Sequence, residues 1–121
     1  MGKRILIADE GDLTLIGIQT VLARHPDWVI TGTARSADEL VQQLAPPQPE
    51  IIVLGERLDP GVDVLTLVER IHRTAPRVGL VVLGGLAEGL LIRDLFASGV
   101  LGYLFAGDDL QDHLLPALRA A

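Results

Sequence analysis

Residues 50–60 read E-I-I-V-L-G-E-R-L-D-P, four apolar residues from Ile51 to Leu54 followed at once by Gly55. A short apolar run bounded by turn formers marks a strand buried on both faces, the kind found in a parallel sheet covered by helices. In such open α/β sheets, ligands and chemistry sit just beyond the carboxyl ends of the central strands. Here the residue that ends the strand has no side chain.

Outward from this run, apolar stretches alternate with helical patterns, which predicts repeated β-α units around one parallel sheet. Strands are expected at Arg4 to Ala8, Trp28 to Thr33, Ile51 to Leu54, Gly79 to Leu83 and Gly102 to Phe105. Helices are expected near Leu13 to Arg24, Ala37 to Leu44, Val64 to Thr74, Glu88 to Ser98 and Asp109 to Ala120. Ser36 and Asp109 fall where N-caps belong, and Gly99 sits where a C-terminal cap would fall. Pro46-Pro47-Gln48-Pro49 stops the second helix. Pro116 lies too far into the last helix to be a first-turn proline, so a kink or a late start is expected there.

The chain of 121 residues has the length of one domain, residues 1–121, and nearly half of it is apolar. No apolar run approaches the roughly 20 residues of a membrane helix, and the amino terminus reads as a strand instead of a signal peptide, so a cytoplasmic, soluble domain without a membrane partner is expected. The absence of cysteine excludes disulfides, thiol nucleophiles and thiolate metal sites. A net charge of −6 with scattered basic residues argues against direct nucleic-acid binding. His25, His72 and His113 lie far apart and read as surface or helix-end residues.

Asp9 and Glu10 follow R-I-L-I-A and so emerge side by side at the end of the first strand. They could hold a hard cation such as Mg²⁺, or be two solvated acids favoured by the dipole of the next helix. The series R-I-L-I-A-D-E, an amphipathic helix ending in His25-Pro26-Asp27, E-I-I-V-L, G-L-V-V-L and G-V-L-G-Y-L-F resembles the receiver domain of bacterial two-component response regulators, with the LuxR-type group nearest in flavour. The resemblance covers nearly the whole chain. It implies a flavodoxin-like (CheY-like) doubly wound α/β fold, five parallel strands with helices on both faces.

The resemblance also implies a site from which this sequence departs. Such domains accept a phosphoryl group on an aspartate ending the third strand, aided by a hydroxyl residue ending the fourth, a lysine ending the fifth and an acidic pair that holds Mg²⁺. Asp9 and Glu10 match the pair, but the acceptor position falls on Gly55, the hydroxyl position on Gly84 and the lysine position on Ala106. The only lysine, Lys3, begins the first strand at the wrong end of the sheet. Aspartyl-phosphate chemistry needs a carboxylate nucleophile and cations to neutralise developing charge, and two adjacent acids alone make a weak Mg²⁺ site. No cofactor is therefore expected, and Asp9 and Glu10 read as a vestigial metal pair.

Tyr103 matches the family's aromatic switch position, although with Gly84 opposite it the ring is expected to pack at the sheet edge with its hydroxyl in water. Gly55, Gly84 and Ala106 together should leave a hollow that a small ligand could enter. Leu13, Ile18, Val21 and Leu22 suffice for the buried stripe of the first helix, which leaves Leu15 and Ile16 as surplus apolar surface; Leu86 and Leu90 add the same to the fourth. The expected function is a degenerate, non-enzymatic receiver working in signal transduction and transcription regulation as a homodimer or by docking a protein partner. DNA would be reached only through a helix-turn-helix domain outside this sequence. Two alternatives stand beside it: a ligand sensor using the hollow, and a receiver phosphorylated at a displaced acid, Glu56 or Asp59.

Overall fold

The computed structural model describes residues 2–85, 89–105 and 110–120. Five parallel strands, β1 (Lys3–Ala8), β2 (Trp28–Ala34), β3 (Ile51–Gly55), β4 (Gly79–Gly84) and β5 (Gly102–Phe105), form one sheet in the order β2-β1-β3-β4-β5. Helices α1 (Asp12–Ala23), α2 (Ala37–Gln42), α3 (Val64–Thr74), α4 (Gly89–Ala97) and α5 (Leu110–Ala120) connect them. The strand order reverses between β1 and β3, so the carboxyl ends of these neighbours open the crevice at the switch point.

The apolar runs separate into two cores with a period of two. Leu6, Ile52, Leu54, Leu80 and Val82 face one side with Leu40, Leu67, Ile71 and Leu95 of α2, α3 and α4. Ile5, Ile7, Ile51, Val53, Val81 and Leu83 face the other with Ile18 and Leu22 of α1 and Leu114 and Leu118 of α5. Because both faces are covered, the inner strands β3 and β4 read as uninterrupted hydrophobic runs, whereas the edge strand β2 does not.

Local chemistry sets the boundaries. Ser36 Oγ accepts from the Glu39 N–H at 3.2 Å while the Glu39 carboxylate accepts from the Arg35 N–H at 2.6 Å, a reciprocal arrangement that starts α2. α2 ends at Gln42, two residues before the expected Leu44, because Gln43 and Leu44 close tighter turns onto Leu40 and Val41. At the end of α4, Gly99 adopts φ +99°, with its N–H on Phe96 O and the Val100 N–H on Leu95 O. This is a Schellman cap, with Val100 and Leu95 buried in the same cluster. Its tight fit is completed by the His72 ring, whose Nδ1 lies 3.1 Å from Ser98 O.

Of the two outcomes expected at Pro116, a kink or a late start, the late start does not occur: α5 begins at Leu110 and continues through Pro116, whose ring leaves the Asp112 carbonyl without its helical donor. Asp109, the expected cap of that helix, lies outside the described residues. In α1 the buried residues are Leu15, Ile18, Val21 and Leu22. Leu15 is 4% exposed and Leu13 86%, the reverse of the expected assignment. At roughly 100° per residue, Leu15, Ile18 and Leu22 share one face, whereas Leu13 and Ile16 fall nearly opposite.

Candidate functional site

β1, β3 and β4 end at nearly the same level, with Ala8 paired to Leu54 and Gly55 to Leu83. Parity along the strands assigns the residues at and beyond their ends to one face or the other. Ile7 and Val53 point to the α1–α5 side, and Asp9 and Gly55 come after them at the same parity. Leu54 and Val82 point to the α2–α4 side, as Glu56 and Gly84 do, and Tyr103 packs against that cluster from β5.

The absent side chains leave less space than the sequence suggests. A Cβ placed on Gly55 would stand 3.0 Å from Asp9 Cγ and well inside contact distance of Asp9 Oδ2. The Asp9 carboxylate therefore lies over Gly55. Its other oxygen, Oδ1, accepts the Gly11 N–H at 2.8 Å. Burial raises the Asp9 pKa above 3.8 and the neighbouring Glu10 charge adds to the rise, while the Gly11 hydrogen bond works against both.

Gly84 is filled in the same way from the other side of the sheet. A Cβ there would lie 2.6 Å from Tyr103 Cζ and from Glu56 Oε2, with the Tyr103 hydroxyl closer still. The Tyr103 hydroxyl donates to the Glu56 carboxylate, and Oε2 of the same carboxylate accepts the Gly85 N–H at 3.2 Å. Tyr103 thus turns its hydroxyl onto Glu56 instead of leaving it to water alone, contrary to expectation, because β5 aims the ring along the sheet onto Gly84, which offers no obstruction. Desolvation, then the Glu56 charge and hydrogen bond, raise the Tyr103 pKa above 10.0.

The expected hollow is accordingly narrowed, and what remains is an open cleft of about 480 Å³ lined by Asp9, Glu10, Thr14, Glu56, Arg57 and Gly84. The donors do not suit Mg²⁺: Glu10 is exposed, one Asp9 oxygen is held by Gly11, and no carboxylate projects from Gly55. Among the described residues no three His, Cys, Asp or Glu side chains gather as metal ligands. Asp59 turns back on its own loop, where Oδ1 accepts the Gly61 N–H at 3.1 Å. Ala106, Leu86 and the side chain of Leu90 lie outside the described residues, and Leu15 is buried, which leaves Ile16, 57% exposed, as the described member of the expected interface set.

The Glu56–Tyr103 pair is not among the sequence-based expectations, although strand parity held the signal. Glu56 lies two residues beyond Leu54 and Gly84 two beyond Val82, on the side where Tyr103 packs.

This is the fold of receiver domains of the response-regulator type, here with an altered set of strand-end residues, and the curated relatives that the chain matches are response regulators. The chain is similar to the response regulator GacA of Pseudomonas viridiflava, 25% identical over 116 residues that cover 96% of this chain and 53% of GacA. The chain thus spans about half the length of that curated relative. Among solved structures it resembles the signal receiver domain of an HD domain-containing protein from Pseudomonas fluorescens Pf-5, with TM-score 0.86, 28% identity, and coverage of 100% of this chain and 94% of that one. A LuxR-family two-component response regulator from Aurantimonas sp. SI85-9A1 shares the fold, with TM-score 0.89, 19% identity, and coverage of 99% and 84%. No protein-family model matches the chain. Among the described residues no helix is long and apolar enough to cross a membrane.

Proposed function

We propose that this receiver domain works in signal transduction without taking up a phosphoryl group, as a dimerisation or docking module of a transcription regulator. The observation that carries this reading is the state of the two strand ends. The place of an acceptor side chain at Gly55 is taken by Asp9, and that of a hydroxyl at Gly84 by Tyr103 and Glu56. Asp9 itself is turned onto Gly11, and Glu56 is engaged by Tyr103 and Gly85. Both carboxylates are thus engaged in hydrogen bonds, whereas in-line attack on a phosphoryl donor calls for a free, positioned nucleophile.

The docking part of the proposal draws on α1, where Leu13 and Ile16 project one turn apart on the face away from the core. Contact with DNA would belong to a separate domain, in keeping with a relative that is twice as long. Incubation with acetyl phosphate and Mg²⁺ followed by intact-mass measurement tests the proposal: an unmodified mass is expected, and a phosphorylated species would overturn it. The displaced-acid alternative predicts that species and its loss in Glu56→Gln or Asp59→Asn. The ligand-sensing alternative retains only the open cleft, and a thermal-shift screen that yields no ligand there removes it.

A further inference from the structure

We propose that Glu56, Gly84 and Tyr103 form a built-in latch that ties the carboxyl ends of β3 and β4 to β5 and fixes the Tyr103 ring in one position. One carboxylate makes both connections. Its backbone continues the ladder, the Glu56 N–H bonding Leu83 O at 2.8 Å, which plants the residue at the end of β3 beside β4. Its side chain then reaches over Gly84, accepts the Gly85 N–H at 3.2 Å where β4 turns toward α4, and receives the Tyr103 hydroxyl from β5. A carboxylate is suited to this because it accepts several hydrogen bonds at once and those from neutral donors gain from its charge.

Gly84 is the third part of the device. Its missing Cβ is the space that the phenol oxygen and Glu56 Oε2 occupy, so even alanine would push one of them aside. β5 contributes the remaining constraint: Tyr103 pairs with Val82 in the ladder and packs against the α2–α4 core, so its ring is directed along β4 toward residue 84. A domain latched in this way holds the ring of Tyr103 by its own side chains, with no bound group required. The inference deepens the reading that the domain works without a phosphoryl group, and the two fail separately.

Tyr103 is the only tyrosine, so protein labelled with 3-fluorotyrosine gives a fluorine resonance that reports on this ring alone. The labelled wild type is expected to show one resonance that acetyl phosphate with Mg²⁺ leaves in place. Glu56→Ala and Gly84→Ala are each expected to move it toward the position of an exposed tyrosine. Glu56→Ala should also speed amide exchange at Gly85 by about tenfold, the loss of one hydrogen bond to a charged acceptor. Glu56 is half-buried at the surface, so this variant keeps the test open should Gly84→Ala not fold. An unmoved resonance and unchanged Gly85 exchange in Glu56→Ala would overturn the latch. A mass increase with acetyl phosphate while the resonance stays in place would overturn phosphoryl independence and leave the latch standing.

Discussion

Gly55→Asp puts an acceptor where receiver chemistry would have one, and the structure says what it would meet. The new Cβ would stand 3.0 Å from Asp9 Cγ, so the Asp9 carboxylate has to swing out and give up the 2.8 Å bond from the Gly11 N–H. A hydrogen bond to a charged acceptor contributes about 1.5–3 kcal/mol, and the lower end applies because Asp9 is only partly buried. Two carboxylates about 4 Å apart at an effective dielectric constant near 20 repel by up to about 4 kcal/mol, which rotation into solvent or partial protonation reduces to about 1–2 kcal/mol. The expected loss is about 2–4 kcal/mol, or roughly 8–15 °C in Tm for a domain between the small and mid-sized classes. Three carboxylates would then form a better site for a hard cation, so Mg²⁺ at tenfold its Kd should return about 1.4 kcal/mol to the variant and little to the parent. Urea denaturation of both proteins with and without MgCl₂ measures each part. A Gly55→Asp protein as stable as the parent in the absence of Mg²⁺ would refute the placement of Asp9 over Gly55.

Ser36→Ala removes the side-chain acceptor for Glu39 N–H at the start of α2 and should cost about 1 kcal/mol in chemical denaturation. Ile52→Ala, in the middle of β3 and 0% exposed, should cost about 2–5 kcal/mol by the same measurement. Leu13→Glu should change stability by less than about 0.5 kcal/mol because the side chain is 86% exposed, while sedimentation equilibrium should show weaker self-association than the parent. Because the folded-state pKa of Asp9 is raised above its ordinary 3.8, the folded chain holds that proton more tightly than the unfolded one. The resulting stability is present in full below the ordinary value and is lost as pH rises through the raised one. Asp9→Asn should remove that decline from the pH profile of Tm; an unchanged profile would contradict the partial burial of the carboxylate.

The sheet was legible in the sequence because both of its faces are covered, which turns each inner strand into a short apolar run that punctuation can bound. Ile51 to Leu54 and Gly79 to Leu83 match β3 and β4 to within one residue, the extra residue in each case being the glycine that still pairs in the ladder. The buried face of α1 was legible but misassigned: with Ile18, Val21 and Leu22 on the core, a step of 100° per residue puts Leu15 among them and Leu13 nearly opposite, and the apolar character of all three of Leu13, Leu15 and Ile16 hid this. What turns the helix is the entry from β1. The chain passes Gly11 in extended conformation into a helix starting at Asp12, and that phase sets Leu15, Ile18 and Leu22 onto the sheet.

The strand-end site divides along the same line. Which side chains are missing can be read directly from Gly55 and Gly84, but what moves into their place depends on neighbours brought together by register. Counting by twos along β1 and β3 places Asp9 beside Gly55, and counting along β3 and β4 places Glu56 beside Gly84 on the side where Tyr103 packs. A glycine at a strand end therefore does not by itself leave the whole space of the missing side chain open. Dense packing favours occupation of the space by whichever long side chain shares its face, and a polar one is held there once a donor lies within reach, as Gly11 N–H is for Asp9 and Tyr103 O–H for Glu56.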